Sequence, residues 1–498
     1  MCPPVDYRPR FMRAKRRSHT MSLVLLLGVL LCAALPAQET RPPLRLSPDE
    51  AVNLAVRNNL SLESSRTGVA TKKRASDLSW NQFIPSMQIG GSIILDNEKT
   101  TTTASGMQPV PLNPIFSSLG LPDMPSIYGV VPYSVEVDVS QWHVAGSIQT
   151  SLNINLAMFE NMKRLRLDYE GGLLSYEKAK AQLERDVRKA YHNMLLIQEN
   201  IALLRGSFEN AERQVQTAQA NYNAGLAPEL TLLQARVARD NLRPTIDQVE
   251  NGLKLAMAQF AMLLDLPYDT PFELIPVDMD TIFIPFDVAE LVSKASTGKP
   301  DIQELRQNIM VLQSARKAQV FSLTPSLSLS WNYMPTFLRD PWKDSWGEKD
   351  NWRNSGNLTL SLGVRLHSLI PVSADFQGIR NLDDQIKTAN IGLAQMIRGT
   401  ELEIYNTVLS LEKTRISTEA QSQTVDLAER SYRLTEQAYR AGLQDLFQVQ
   451  SAEQSLRQAR VQLLEQQFNY LNGLIDLEYS VGVPFGTLTA GTLSKGNN

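Results

Sequence analysis

Ala211-Glu-Arg-Gln-Val-Gln-Thr-Ala-Gln-Ala-Asn-Tyr-Asn-Ala-Gly-Leu226 and Ala428-Glu-Arg-Ser-Tyr-Arg-Leu-Thr-Glu-Gln-Ala-Tyr-Arg-Ala-Gly-Leu443 are two versions of one passage, identical at seven of sixteen positions and 217 residues apart. Ahead of the first version, apolar residues alternate steps of four and three: Leu183, Val187, Ala190, Met194, Ile197, Ile201, Leu204, Phe208, Ala211, Val215, Ala218 and Tyr222. A sustained 3.5-residue repeat demands a partner helix and a supercoil. A helix from about Met162 to Tyr222 is roughly 90 Å long, too long for a globular core. Gly225 ends it with a left-handed turn and Pro228 favours a fresh start. The chain returns through Leu242, Ile246, Val249, Leu253, Ala256, Phe260 and Leu263, with Pro244 expected to kink the return helix. The spacing predicts long helical hairpins over 162–264 and 376–480.

Away from the helices, four segments alternate with period two, the mark of a strand with one apolar and one polar face. Met87, Ile89 and Ile93 interleave with Ser86, Gln88, Gly90 and Ser92. Ile148, Leu152, Ile154, Leu156 and Met158 alternate with Gln149, Ser151, Asn153 and Asn155. Leu327, Leu329, Trp331 and Tyr333 face away from Ser326, Ser328, Ser330 and Asn332, and Leu358, Leu360, Leu362, Val364 and Leu366 from Asn357, Thr359, Ser361 and Arg365. Each is about ten residues, the length a tilted strand needs to cross a hydrocarbon layer. A soluble sandwich with one wet face shows the same alternation. The context favours membrane hairpins: a Pro-rich connection over 95–146, a shorter one holding Trp342, Trp346 and Trp352, and helices on the other side. Four strands leave open edges that lipid does not tolerate, so several copies must share one barrel.

The order helix, strand, loop, strand, long helix, Gly turn and return helix therefore occurs twice. The first repeat is placed at 38–285, with a β-hairpin at 84–158 and an equatorial linker at 266–285. The second is placed at 286–484, with a β-hairpin at 322–366, and 485–498 is read as a flexible tail.

Residues 1–37 read as a secretory signal peptide: Arg13-Ala-Lys15-Arg16-Arg17, the apolar run Leu23 to Ala34, and a small-residue site at Leu35-Pro36-Ala37. Met1 and Met12 are alternative starts. The apolar run is too short to span as an anchor. Leu31 stands before Cys32 where a lipidation site needs a small residue, so lipidation is not expected. The leader holds six of the 49 bases and one of the 52 acids, leaving 43 against 51 in the body. That mildly acidic body argues against a nucleic-acid partner. Both cysteines, Cys2 and Cys32, also lie in the leader, which excludes disulfides, Cys-based zinc sites and a cysteine nucleophile elsewhere. Of the four histidines, His143 and His367 lie by the strands and His192 on the long helix. No phosphate loop, nucleophile elbow or metal-binding helix is present, so neither catalysis nor a cofactor is expected.

An exported chain built this way resembles the TolC family of outer-membrane efflux proteins over nearly all of 44–484. The resemblance is carried by Leu46-Ser-Pro-Asp-Glu-Ala-Val-Asn-Leu-Ala-Val-Arg-Asn-Asn59, by Tyr222-Asn-Ala-Gly-Leu226 with Gln234-Ala235, and by the second copies Lys299-Pro-Asp-Ile302 and Tyr439-Arg-Ala-Gly-Leu443 with Ser451-Ala452. Phe468-Asn-Tyr-Leu-Asn-Gly-Leu-Ile-Asp-Leu-Glu-Tyr-Ser-Val-Gly482 closes the chain as that family closes. The resemblance implies a mainly α protein with a transmembrane β part. Three copies would share a 12-stranded β-barrel continuous with an α-barrel tunnel in the periplasm.

It further implies a passive exit duct of a tripartite efflux or type I secretion system. The partners would be a periplasmic adaptor, an inner-membrane pump of RND, ABC or MFS type, and outer-membrane lipid. The family's narrowest point lies just past the second Tyr-x-x-Gly turn, where well-studied members carry aspartates six and nine residues after the Gly. Here those positions are Gln448 and Ser451, and Thr231 and Gln234 in the first copy, with Asp445 the nearby carboxylate. The expectation is a neutral polar constriction, because amides favour cations only weakly. Gly225, Leu226, Gly442 and Leu443 resemble the tips that dock the adaptor. A trimeric adhesin is the alternative, but its strands should be consecutive and C-terminal. A periplasmic adaptor is another, but it should have one helical hairpin and no membrane strands.

Overall fold

The computed structural model describes residues 44–97, 101–120, 128–138, 141–277, 283 and 285–488. The leader, both cysteines and residues 489–498 lie outside the described residues. The elements are β1 (Leu44–Leu46), α1 (Pro48–Asn58), α2 (Leu60–Asp77), β2 (Ser86–Leu95), β3 (Thr101–Pro111), α3 (Asn113–Ser118), β4 (Tyr128–Asp138), β5 (Trp142–Ile154), α4 (Ala157–Asn223) and α5 (Glu229–Leu263). They continue with β6 (Phe272–Leu274), α6 (Val288–Gly298), α7 (Pro300–Phe321), β7 (Ser326–Phe337), β8 (Trp352–Gly363), α8 (Ala374–Arg440) and α9 (Leu446–Val481).

Four strands form one antiparallel sheet in the order β2-β5-β7-β8. Each strand runs into one helix, and those helices pack side by side in the matching order α2, α4, α7, α8. Helices α4 and α8 are each 67 residues, about 100 Å at 1.5 Å per residue. They run from the sheet past the middle of the molecule to its far end. There α5 and α9 turn back, giving the lateral order α5, α4, α9, α8. The helical run of α5 continues through Pro244.

The helical hairpins run over Ala157–Leu263 and Ala374–Val481, and the strand limits differ from those read in the sequence. The second alternating segment stops at Ile154. Asn155 Oδ1 accepts the Met158 N–H at 3.1 Å and starts α4, so Leu156 and Met158 sit at the junction and Met158 is buried. The fourth strand begins at Trp352, five residues early, and ends at Gly363 before Val364 and Leu366. Its polar opening, Arg353-Asn-Ser-Gly356, has no alternation to read, yet it pairs in register with Tyr333 to Thr336. The connection 95–146 is not simply a loop: β3 and β4 form a separate antiparallel pair with α3 between them. The shorter connection is built on Phe337, Trp346 and Trp352, whose ring centroids lie 4.9–5.7 Å apart.

The principal core lies at the middle of the molecule. Val187, Tyr191 and Met194 of α4 pack there with Ala51 and Ala55 of α1, Phe260 of α5 and Phe272 of β6. The linker expected at 266–285 thus contains β6, paired in parallel with β1. The Tyr191 hydroxyl lies 2.8 and 2.6 Å from the carbonyl oxygens of Leu46 and Ile275, tying helix to strand, and burial pushes its pKa up to about 12. A second cluster joins α6, α8 and α9 through Leu291, Ile404 and Leu477. Residues 485–488 belong to this packing rather than to a loose tail. Leu488 is buried, and the Glu478 carboxylate accepts the backbone N–H groups of Gly486 and Leu488 at 3.0 and 2.8 Å. Lys299 Nζ, also buried, donates to Glu403 at 2.7 Å, and Ser480 Oγ donates to the other Glu403 oxygen at 2.6 Å. A buried charge is tolerable only with such partners.

Candidate functional site

The sheet separates two chemistries by parity. On one face, in register across the strands, lie Met87, Thr150, Trp331 and Leu358, then Leu152, Leu329 and Leu360, then Ile154, Leu327 and Leu362. The alternate residues give the rows Ser86, Ser151, Ser330 and Thr359, and Gln88, Gln149, Asn332 and Asn357. Hydroxyls cross-link that second face: Ser86 Oγ lies 2.8 Å from Ser151 Oγ, and Ser328 Oγ lies 3.2 Å from Ser361 Oγ. The polar face is uncharged over these rows. The apolar face is bare, with Ile89 73% and Leu362 74% exposed in the single chain. No other sheet or helix of the described residues packs over it. Among the described residues both outer strands, β2 and β8, keep one unpaired edge. A soluble sandwich would bury this face, so the arrangement fits a wall between an apolar surrounding and a wet interior.

At the far end the two helical hairpins turn by the same backbone geometry. Gly225 and Gly442 adopt φ values of 71° and 75°, a region costly to any residue with a Cβ. The next amide in each turn reaches back five residues, Leu226 to the Asn221 carbonyl at 2.8 Å and Leu443 to the Ala438 carbonyl at 2.9 Å. Such caps commonly tuck the following apolar side chain against the helix. Here Leu226 and Leu443 remain 79% and 78% exposed, so the turns do not use them.

Leu446 of α9 packs on Val215, Ala218, Leu232 and Ala235, which holds the first turns of α5 and α9 at the same end. Thr231 and Gln234 therefore share that end with Asp445, Gln448 and Ser451. Gln234, Gln448 and Ser451 are exposed, and Thr231 is half-buried. Asp445 is not a free carboxylate: its Oδ1 accepts the Gln448 N–H at 2.9 Å and caps α9. Behind them, Tyr439 is driven to a raised pKa by burial, and its hydroxyl has no hydrogen-bond partner among the described residues. An open groove of about 510 Å³ follows along the shaft, lined by Gln214, Asn241, Gln450, Glu453 and Arg457.

Among the described residues the histidines do not gather into a site. His143 Nδ1 faces Asp96 at 3.4 Å by the sheet, whereas His192 is buried on α4 with Nδ1 3.1 Å from Asn472 Oδ1. Burial lowers the His192 pKa. Among the described residues no cluster of His, Cys, Asp or Glu is placed to hold a metal ion. No helix of the described residues is long and apolar enough to cross a membrane. Sequence reasoning gave Asn59 no role. It caps α2 by accepting the Leu62 N–H, and its Nδ2 donates to the Leu263 carbonyl 204 positions away. The first bond was readable from an Asn before a helix; the second required the fold.

Residues 134–264, from β4 through α5, match the family described as Outer membrane efflux protein. No curated protein matches the chain by sequence. Among solved structures, the chain is similar to CusC at 14% identity and TM-score 0.68, covering 91% of this chain and 96% of that one. It is similar to the Campylobacter jejuni CmeC outer membrane channel at 14% identity and TM-score 0.66, covering 90% and 88%. It is also similar to the outer membrane protein VceC of Vibrio cholerae at 12% identity and TM-score 0.65, covering 88% and 96%. These relatives are channel-type membrane proteins, not enzymes. The match to the outer membrane efflux protein family over residues 134–264 agrees with the resemblance to the TolC family, and about nine-tenths of the chain shares the fold of solved outer-membrane channels.

Proposed function

We propose that three copies of this chain form an outer-membrane exit duct, a passive conduit for a tripartite efflux or type I secretion system. The observation that carries the reading is a single-chain fold whose exposed surfaces are unfinished in a matching way. The sheet has a bare apolar face and two open edges. Helix α8, at one side of the helical layer, exposes Leu402, Leu409, Ile416, Leu427 and Leu434 at steps of seven and eleven, which keep one face of a helix. Helix α5, at the other side, exposes Leu230, Leu233, Val237, Leu255 and Met262. Leu233 and Leu434 each stand eight residues from their tip glycine, and Met262 and Tyr405 each stand 37. The two stripes lie at the same heights, so α8 of one copy meets α5 of the next, a head-to-tail contact that closes into a ring. Eight strands from two copies would close on an interior filled by side chains; twelve from three copies leave a wider lumen.

In this assembly the polar rows line the barrel, and α4, α5, α8 and α9 are the staves of a tunnel into the periplasm. Gln448 and Ser451, with Thr231 and Gln234, line a neutral mouth. Asp445 contributes as a cap, its carboxylate turned onto its own helix. The exposed leucines of the two tips, with Gly225 and Gly442 shaping the turns, receive a periplasmic adaptor that couples the duct to an inner-membrane pump of RND, ABC or MFS type.

The test uses Leu233→Cys with Leu434→Cys in the otherwise cysteine-free mature chain. Oxidation should give a ladder ending at a trimer in the outer-membrane fraction. Recovery as an unlinked soluble monomer overturns the proposal.

A further inference from the structure

The apolar surface does not stop where the strands stop. At the helix-side end of the sheet, Leu78, Trp80, Leu156, Phe159, Leu366 and Val372 are each at least half exposed. Leu156 lies two residues past the end of β5 and Leu366 three past the end of β8, so exposed apolar side chains continue beyond the strand ends. Phe159 is held in place by Phe83, ring centroids 5.7 Å apart. Soluble strand–helix junctions rarely leave a contiguous apolar patch of this kind in water.

Within about two turns of this band the surface becomes basic. Arg74 on α2, Lys163 on α4, Lys317 on α7 and Arg380 on α8 are exposed, one on each helix that joins a strand. Arg74 stands one turn from Leu78, and Lys163 one turn from Phe159, so each pair shares a helix face. None of the four has a carboxylate within ion-pair distance among the described residues. The exposed acids on these stretches are Asp77, Asp383 and Asp384, and Asp383 is paired with Arg316 of α7. Apolar above basic is the order in which a phospholipid leaflet presents acyl chains and then phosphates.

We infer that the strand–helix junctions are a lipid-docking collar. Their apolar side chains enter the acyl region of the periplasmic leaflet, and Arg74, Lys163, Lys317 and Arg380 lie on the phosphates of anionic phospholipid. This rests on the outer-membrane reading above and adds to it where the bilayer ends. The hydrocarbon boundary falls below the last strand residue, on the helices, rather than at Ile154 and Gly363.

The absence of cysteine after the leader makes single-site labelling direct. Trimers carrying Leu360→Cys, Leu366→Cys or Val372→Cys are labelled with an environment-sensitive fluorophore. They are then reconstituted into phosphatidylethanolamine–phosphatidylglycerol vesicles with brominated acyl chains. All three sites should be quenched. Quenching at Leu360 alone overturns the collar and leaves the channel standing, whereas no quenching at Leu360 overturns the channel reading itself. In a second arm, Arg74→Gln, Lys163→Gln, Lys317→Gln and Arg380→Gln are combined in the Leu360→Cys protein. Native mass spectrometry of trimers extracted from these vesicles should show retained phosphatidylglycerol falling about threefold or more, with Leu360 still quenched. Unchanged retention overturns the headgroup assignment.

Discussion

Leu360 and Ser361 are neighbours on β8 that point to opposite faces of the sheet, and charging each in turn separates a membrane wall from a soluble one. Leu360 lies within the apolar run from Leu358 to Leu366, is 67% exposed, and pairs in register with Leu329. Ser361 pairs with Ser328 on the hydroxyl-lined face. In lipid, an arginine at the depth of Leu360 costs about 2–4 kcal/mol per chain. That is a shift of roughly 30- to 900-fold in the folding equilibrium, incurred once per copy where the sites act independently. In water, the same replacement of a mostly exposed leucine costs about 0.5 kcal/mol or less. Ser361→Arg should leave stability nearly unchanged but place a cation in the lumen and move selectivity toward anions. Urea titration of folding into phospholipid vesicles measures the first effect, and single-channel recording the second. Equal stability of Leu360→Arg and the parent protein would refute the lipid-facing assignment of this surface. Greater loss from Ser361→Arg than from Leu360→Arg would show that the faces have been exchanged.

Gln448→Asp, repeated in every copy, should raise cation preference in reconstituted channels; unchanged reversal potentials would remove Gln448 from the narrow mouth. Leu226→Ser with Leu443→Ser should weaken adaptor capture without loss of trimer, because both side chains are free in the chain; a lost trimer would assign them to the subunit interface. Gly482→Ala should cost about 2 kcal/mol or more, read by chemical denaturation. Its φ is 75°, and an added Cβ would come within 2.7–2.8 Å of the Gly298–Lys299 backbone. His192 is held neutral by burial, with a folded pKa below the ordinary 6.5, so the unfolded chain takes up a proton first. The stability it contributes is full above about pH 6.5 and declines as pH falls through the lower folded value. His192→Gln should flatten that part of the pH profile measured in the same titration.

The helical hairpins were legible because their signal is one-dimensional. A 3.5-residue repeat and a glycine stop are local properties, and the observed α4 and α8 end beside Ala224-Gly225 and Ala441-Gly442. The lengths of the strands were less legible. Period-two alternation ran past Ile154 into a helix, because an asparagine cap carries no alternation. It also began late on β8, because Arg353 to Gly356 are held by pairing with β7 rather than by a one-sided apolar face.

The candidate tip shows the same division. Residue types along the sequence gave Gln448 and Ser451 as polar and uncharged, and that stands without any structure. They could not give Asp445 its place as a helix cap, nor bring Leu446 onto Leu232 across more than two hundred residues. The sequence by itself determined which surfaces are apolar and with what period, since periodicity is written in nearest neighbours. Only the tertiary structure decided which of those surfaces remain uncovered in one chain. Burial is a property of what packs against a face, and here β2, β8, α5 and α8 lie at the outer sides of their layers with no further element among the described residues to cover them.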